Sequence, residues 1–234
     1  MKIDQNHALK LNDVLLEVQH RRLREMRSVL FDPSILEKMD ENTILYSMYK
    51  EAMLDGHKPL FREHRIRFDI TIMEPIYLGK EFNKTLGHRH PEALNGLSYP
   101  EVSSVLQGHA CFLFQKMEEG APKEFRVVHA EKGDTILMPP NYGHVTVNYG
   151  DGMLVTSNLV STEFKSDYGG FLEKGGAAYY ILKDGSFIRN KKYGRIPKPI
   201  VSRERFHVAE SLYADFLKDS DRFDFLNDPT KPVP

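Results

Sequence analysis

Between residues 64 and 190 the sequence keeps a two-residue beat, interrupted by turn signals at the roughly 8–12-residue spacing of small β-folds. In "HRIRFDITI", Ile66, Phe68, Ile70 and Ile72 alternate with Arg65, Arg67, Asp69 and Thr71. Successive side chains of a strand point to opposite faces, so this run predicts a strand with one apolar face. "VSSVLQGHACFLFQ" reads as two strands broken near Gly108, and "EFRVVHAEKGDTILMPP" as two more turned at Lys132-Gly133. "GHVTVNYGDGMLVTSNLV" adds a pair turned at Gly150-Asp151-Gly152. "AYYILKDGSFIRN" predicts a hairpin with a type I′ turn at Asp184-Gly185, which needs positive φ at both central residues. Strands never alternate with helices here, so a parallel sheet is excluded and a mainly β sandwich or barrel is predicted.

The flanks lose this beat. Over residues 12–30, Val14, Leu15, Val18, Leu23, Met26 and Val29 recur near helical spacing, and Asn12 is placed to cap a helix. "DPSILEKM" predicts a second short helix, with Asp32 as N-cap and Pro33 at the first helical position. Past the strands, "GRIPKPIV" is an extended connector and "SRERFHVAESLYADFLKD" an amphipathic helix presenting Phe206, Val208, Leu212 and Phe216. "RFDFLNDPTKPVP" is a polar, Pro-rich tail with two Phe residues to order it. The resulting division is a helical segment over 1–42 packing on a β-barrel domain of 43–192, then an extension of 193–234 with one helix and a polar tail.

A net charge of −1 without any polybasic run argues against nucleic acid and against a membrane surface as partners. No apolar run reaches the roughly 18 residues that a membrane-spanning helix needs, and the N-terminal stretch lacks a signal peptide's apolar core. Cys111, the single cysteine, lies in the apolar "HACFLFQ" and is expected to be a buried, inert thiol. A cytoplasmic protein is expected.

The chemistry gathers around "GHRHPEALNGLSYPE". Residues 88 and 90 of a strand share a face, so two imidazoles can grip one ion. Glu101 opens the next strand after a loop and can sit beside them. His144 in "PPNYGHVTVN" is the candidate fourth ligand, delivered onto a strand by a Pro/Asn/Gly turn, with Thr146 and Asn148 on its face. Three neutral imidazoles and a carboxylate suit a divalent transition metal with positions left open, without choosing among Fe, Mn, Ni, Co and Zn. The remaining histidines are scattered along the chain and receive no role.

These residues resemble the two motifs of the cupin superfamily. The first is His88, His90 and Glu101, then six residues and Gly108; the second is Gly133, Pro139, His144 and Asn148. The gap from His90 to Glu101 is longer than in most cupins, Phe82 stands where a leading Gly is usual, and Asn141 where Gly is expected. Asn tolerates left-handed backbone, so that turn is expected to survive. Within the superfamily the chain resembles the cupin-type glucose-6-phosphate isomerases of archaea and some bacteria. The resemblance is carried by "RRLREMRSVLFD", "LGKEFNKTLGHRH", "YPEV" and "SDYGGFLEKGG", and runs from about residue 20 to residue 190. The extension beyond it has no counterpart in the short members.

The resemblance implies a cupin-type double-stranded β-helix, a jelly-roll barrel, with N-terminal helices. It implies a homodimer and one divalent metal held by His88, His90, Glu101 and His144, Fe2+ being expected ahead of Mn2+, Ni2+, Co2+ or Zn2+. The implied reaction interconverts glucose 6-phosphate and fructose 6-phosphate, either through a cis-enediol with Glu101 as base or by a hydride shift between C1 and C2. Thr71, Thr85 and the Gly87 backbone match positions that contact the phosphate, with Lys80 as a charge partner, and Tyr168 matches a tyrosine near the sugar. Ser103, Val160 and Ser166 depart from family tyrosine, tyrosine and histidine positions and alter the sugar pocket. Three rival functions share the same ligands: an isomerase of another sugar or sugar phosphate, a cupin dioxygenase or decarboxylase, and a non-catalytic sugar-binding cupin.

Overall fold

A computed structural model describes the backbone of residues 2–3, 9–11, 14–203 and 205–234, with side chains from residue 15 onward except at 204. The alternating runs form the strands expected of them. Ten elements build two facing sheets: β1 (Gln19–Arg22), β2 (Ile44–Tyr49), β3 (Ile66–Met73), β4 (Glu101–Gln107), β5 (His109–Glu118), β6 (Ala121–Glu131), β7 (Thr135–Met138), β8 (Tyr142–Asn148), β9 (Leu154–Ser161) and, late in the chain, Ile200–Ser202. One sheet has the order β7-β4-β9-β3-β2-β1, and the other runs β8-β5-β6 with Ile200–Ser202 at its edge. Every pairing within them is antiparallel except that of Ile200–Ser202 with β6. Antiparallel order alternating between two layers is the jelly-roll arrangement. The fold is mainly β, as the periodicity predicts.

Gly108 shows why one motif position admits only glycine. It joins β4 to β5 at φ +83, and a Cβ there would stand 2.6 Å from the Met153 carbonyl oxygen.

The two faces of β3 meet different surroundings. Ile66, Phe68, Ile70 and Ile72 point outward into an apolar layer that contains Phe61, Phe206, Phe216, Phe223 and Phe225. The layer is supplied by α1 (Lys58–Glu63) and by the C-terminal segment, where the helix Leu212–Lys218 packs Phe216 on Phe61 with ring centroids 4.3 Å apart. The extension therefore covers the outer face of the larger sheet, and both tail phenylalanines are buried. Arg67, Asp69 and Thr71 point the other way, toward the second sheet.

Three local expectations are corrected. Residues 14–22 are extended, and Leu23–Val29 is a 3-10 helix rather than part of a helix from 12 to 30. The edge of β2 offers hydrogen bonds that capture β1 as a sixth strand, and this outweighs a weak helical period; Asn12 lies outside the described residues. Pro33–Glu37 is likewise a 3-10 turn, although Asp32 does cap it by accepting from the Ser34 amide at 3.0 Å. The C-terminal helix spans Leu212–Lys218 only. Ahead of it, Ile200–Ser202 pairs with β6 and the Phe206 amide bonds to the Thr135 carbonyl at 2.7 Å. Those sheet contacts hold in extended form the first half of what reads as one amphipathic helix. The hairpin of Tyr179–Ile181 with Phe187–Arg189 forms as expected, but only Gly185 of its turn has positive φ. The Gly185 amide bonds to Leu182 and the Leu182 amide to Ser186, so the connection is a longer loop with a left-handed glycine, not a type I′ turn.

Candidate metal centre

The four expected ligands converge between the two sheets. His88 lies directly opposite His144, each backbone amide bonding the other's carbonyl at 3.2 and 2.8 Å, so the His88–His90 segment is stitched to β8 of the smaller sheet. Glu101 opens β4 on the larger sheet. One donor atom from each of His88, His90, Glu101 and His144 lies within 4.8 Å of all the others. His88 Nε2 is 3.2 Å from His90 Nε2, and Glu101 Oε2 lies 3.5 Å from His90 Nε2 and 4.0 Å from His144 Nε2.

This donor set fits a cation. The Tyr99 carbonyl can only accept, so His90 donates to it from Nδ1 at 2.9 Å and its Nε2 carries the lone pair that faces the cluster. Burial holds all three imidazoles neutral. It lowers His90 to about 4 and holds His88 and His144 well below the usual imidazole value, with neighbouring imidazoles adding to the effect on those two. Burial also pushes the Glu101 carboxyl up to about 8, and nearby Asp69 adds to that. Three lone-pair nitrogens and a carboxyl turned inward among apolar walls form a site that a divalent ion would complete.

The long gap between His90 and Glu101 is filled by a small hairpin, Glu92–Leu94 with Leu97–Ser98, which turns at Asn95 and Gly96, both of positive φ. It also explains Asn141. That residue adopts φ +70, as the glycine it replaces would. Its side-chain oxygen accepts from the Ser98 amide at 2.9 Å, its amide donates to the Gly96 carbonyl at 3.1 Å, and its backbone N–H donates to Ser98 Oγ at 2.7 Å. Insertion and substitution thus belong together: the asparagine clamps the extra hairpin.

The other expected positions divide. The Tyr168 ring lies 5.4 Å from that of His88, beside the cluster. Thr71 faces inward from β3, in the row Val105–Thr156–Thr71. Thr85 Oγ1 accepts from the Thr146 amide at 2.9 Å, which leaves its own proton free to donate. Gly87 has φ +86, and a Cβ would stand 2.6–2.9 Å from Phe171 and Val145, so it permits close packing just before the first ligand. Lys80 is not brought to the cluster. It occupies an exposed turn between Tyr77–Leu78 and Glu81–Phe82, where its charge acts on Asp32. From His88 the chain runs back along β8 past Lys84, opposite Val147, toward the far end of the sheet.

Several neighbours of the cluster lack a motif. Phe164 lies against the His90 ring at 4.3 Å and stacks on Tyr99 at 4.7 Å. Arg67 stands in one cross-strand row with Val160 and Glu101, and Asp69 in the next with Asn158 and Ser103. Residues in register share a face, so both look into the space beside the ligands.

The family model for glucose-6-phosphate isomerase matches residues 20–198 of the chain. The chain belongs to the cupin-type glucose-6-phosphate isomerase family. Among curated glucose-6-phosphate isomerases, that of Thermococcus litoralis is 28% identical over 170 residues, covering 72% of this chain and 82% of that protein. That of Thermococcus gammatolerans is 30% identical over 166 residues, covering 70% and 80%. Among solved structures, an oxalate decarboxylase of Lactobacillus farciminis overlaps 53% of this chain and 30% of its own, at 20% identity and a TM-score of 0.39. Among the described residues no helix is long and apolar enough to cross a membrane.

Proposed function

We propose that the protein is a metal-dependent aldose–ketose isomerase that interconverts glucose 6-phosphate and fructose 6-phosphate. The observation that carries this reading is the convergence of His88, His90, Glu101 and His144, from both sheets, within 4.8 Å in a chain of this family. These four would hold one divalent ion, Fe2+ ahead of Mn2+, Ni2+, Co2+ or Zn2+. When bound, the ion supplies Lewis acidity toward the sugar's carbonyl and hydroxyl oxygens.

The proton is moved by Glu101. Its Oε2 faces His90 and His144, while among the described residues Oε1 has no protein partner. Its carboxyl is the ionisable group of the cluster, placed to take a proton and return it. Glu101 removes the proton from C2 of the open-chain aldose, leaving a cis-enediolate; the O2 hydroxyl proton passes to O1, and return of a proton from Glu101 to C1 gives the ketose with its carbonyl at C2. Tyr168 positions the sugar from beside His88. Thr71, Thr85 and the Gly87 N–H offer neutral donors to the far end of the substrate. A buried free thiol at Cys111 agrees with the cytoplasm as its compartment, and the family supports a homodimer acting in glycolysis and gluconeogenesis.

The test is a coupled assay on metal-reconstituted protein with glucose 6-phosphate, mannose 6-phosphate and free aldoses. Run in deuterated water, it should place solvent deuterium at C1 of the ketose to the extent that the proton held by Glu101 exchanges before its return; complete retention of the substrate hydrogen at every pH would assign a hydride shift instead. Stoichiometric metal binding without turnover of any aldose phosphate overturns the isomerase reading, and oxygen uptake would move the protein to another cupin chemistry.

A further inference from the structure

The stretch 91–100, which joins the ligand His90 to the ligand Glu101, is built as a closed loop. Its neck is Tyr99, whose amide donates to the Pro91 carbonyl at 3.2 Å and whose carbonyl accepts from His90 Nδ1 at 2.9 Å. Its arms are Glu92–Leu94 and Leu97–Ser98, which pair at Leu94–Leu97 and Glu92–Ser98 with an irregularity between. A two-stranded hairpin this short is marginal at best in water, and this one is held from outside. Asn141 makes two hydrogen bonds to Ser98 and one to Gly96. Ser98 lies three residues before Glu101, and Asn141 three before His144. The clamp therefore ties the start of β4 to the start of β8, one strand from each sheet, each carrying a ligand.

The imidazoles depend on this clamp unequally. His144 bonds the backbone of Tyr142, two residues back on its own strand, and needs nothing remote to orient its ring. His90 takes its acceptor from Tyr99, across the whole hairpin. Phe164 packs on the His90 ring at 4.3 Å and on Tyr99 at 4.7 Å, so the ring, its acceptor and the neck of the hairpin form one packed unit. A groove of about 880 Å³ is lined by Pro91, Ser98 and Asn141 of this assembly, and of the four ligands only His90 reaches it. Opening the hairpin would uncover the cluster at His90 first.

A metal-ligating imidazole is fixed by the bond that its other nitrogen makes. Nε2 of His90 offers a lone pair only while Nδ1 keeps the proton, and the Tyr99 carbonyl is what keeps it there. With the hairpin open, the neutral ring is free to carry its proton on Nε2 and to turn away from the cluster.

We infer that Asn141 and Ser98 are positioning residues for the metal centre: by holding the inserted hairpin shut they keep the Tyr99 carbonyl on His90, and so govern how tightly and for how long the cluster retains a divalent ion. The inference rests on the metal-binding part of the isomerase reading and adds to it a retention device that lies outside the four ligands.

The experiment is Co2+ binding to the full-length, metal-free protein, with calorimetry for affinity and stopped-flow chelation for release. It is read beside the tautomers of His90 and His144, taken from nitrogen-15 NMR spectra of the metal-free protein. Asn141→Gly keeps the backbone conformation, since glycine accepts φ +70, and removes the side-chain bonds of the clamp. It should weaken Co2+ binding about 5- to 10-fold, near the lower end of what a lost outer partner costs a metal site, with the change in the release rate. The His90 signal should move from the Nδ1–H toward the Nε2–H form while that of His144 stays. Ser98→Ala removes the hydroxyl that accepts the Asn141 amide and should cost about 2- to 4-fold. Two glycines inserted between Asn95 and Gly96, beyond the clamp, should change neither readout. Co2+ affinity within about twofold of wild type in Asn141→Gly, or an unmoved His90 tautomer, overturns the inference. An equal loss in the tip insertion, or tautomer shifts shared by His90 and His144, overturns it too, since either marks a general loosening. Failure of the wild-type protein to bind Co2+ overturns the metal centre itself, whereas binding that Asn141→Gly leaves untouched overturns only the clamp.

Discussion

The two faces of β3 lie one residue apart in sequence and obey opposite rules. On the outer face, four branched or aromatic side chains pack against phenylalanines from α1 and the C-terminal segment in an apolar layer. On the inner face, Arg67, Asp69 and Thr71 point toward the second sheet, and Arg67 lines a cavity with Phe164 and Tyr168, the ring neighbours of His90 and His88. The difference teaches where stability and chemistry are kept. The outer face can be dry because the extension covers it, and the inner face can carry charge because the sheet is already held from behind.

The largest effect should come from breaking the outer face. Phe216 is fully buried against Phe61 and Phe223, so Phe216→Ala should cost about 3–5 kcal/mol in urea unfolding. The folded fraction should still bind metal within about twofold of wild type. A matching loss of metal affinity would mean that the two faces are not independent.

Glu101→Gln is the converse on the inner face. It removes the ionisable ligand and should lower metal affinity at least about 100-fold by calorimetry. It should leave the metal-free protein no less stable, since a neutral amide replaces a carboxyl that burial already keeps protonated up to about pH 8.

The third prediction concerns pH. In the metal-free protein Glu101 titrates near 8, raised from 4.5, so the folded state holds a proton that the unfolded state has released. That contribution is complete below 4.5 and is lost as pH rises through about 8. His90, lowered to about 4 from 6.5, and the other two imidazoles act in the opposite sense, adding stability as pH rises to about 6.5. Unfolding free energy should therefore climb to about pH 6.5, decline toward 8, and lose that decline in Glu101→Gln. Metal uptake should release a proton below about pH 8 and not above it.

The smallest effect should come from Asn141→Gly. It restores the family residue and relieves a positive φ, but it deletes the clamp on the inserted hairpin. Stability should fall by only about 1 kcal/mol, while amides of residues 92–98 should exchange faster with solvent.

Much of this was legible in the sequence. Period-two runs place the strands from Ile66 to Ser161, because a face turned to a core must repeat every second residue, but not Gln19–Arg22, Ile44–Tyr49 or Ile200–Ser202. The four ligands are legible because the motif spacing marks them, although only Glu101 and His144 stand on strands while His88 and His90 lie on a bridged segment. The second wall of the site was not. Arg67 and Asp69 alternate with isoleucines just as a solvent-facing row would, and only closure of the sheet over the second layer shows that the charged row is the enclosed one. The helical flanks misled for a related reason. Residues 14–22 and 200–206 have periods too short to nucleate helix, and an open sheet edge offers their amides better partners. Lys80 stands on no motif position, and its exposed turn keeps it from the cluster.

The clamped hairpin has a practical consequence. Its tip, Asn95-Gly96, projects into solvent, while the strands on either side are tied down at Ser98 and at His90. Extra residues grafted at that tip should be absorbed locally, making it a natural place to attach a fluorescent label or an affinity tag without moving a single ligand.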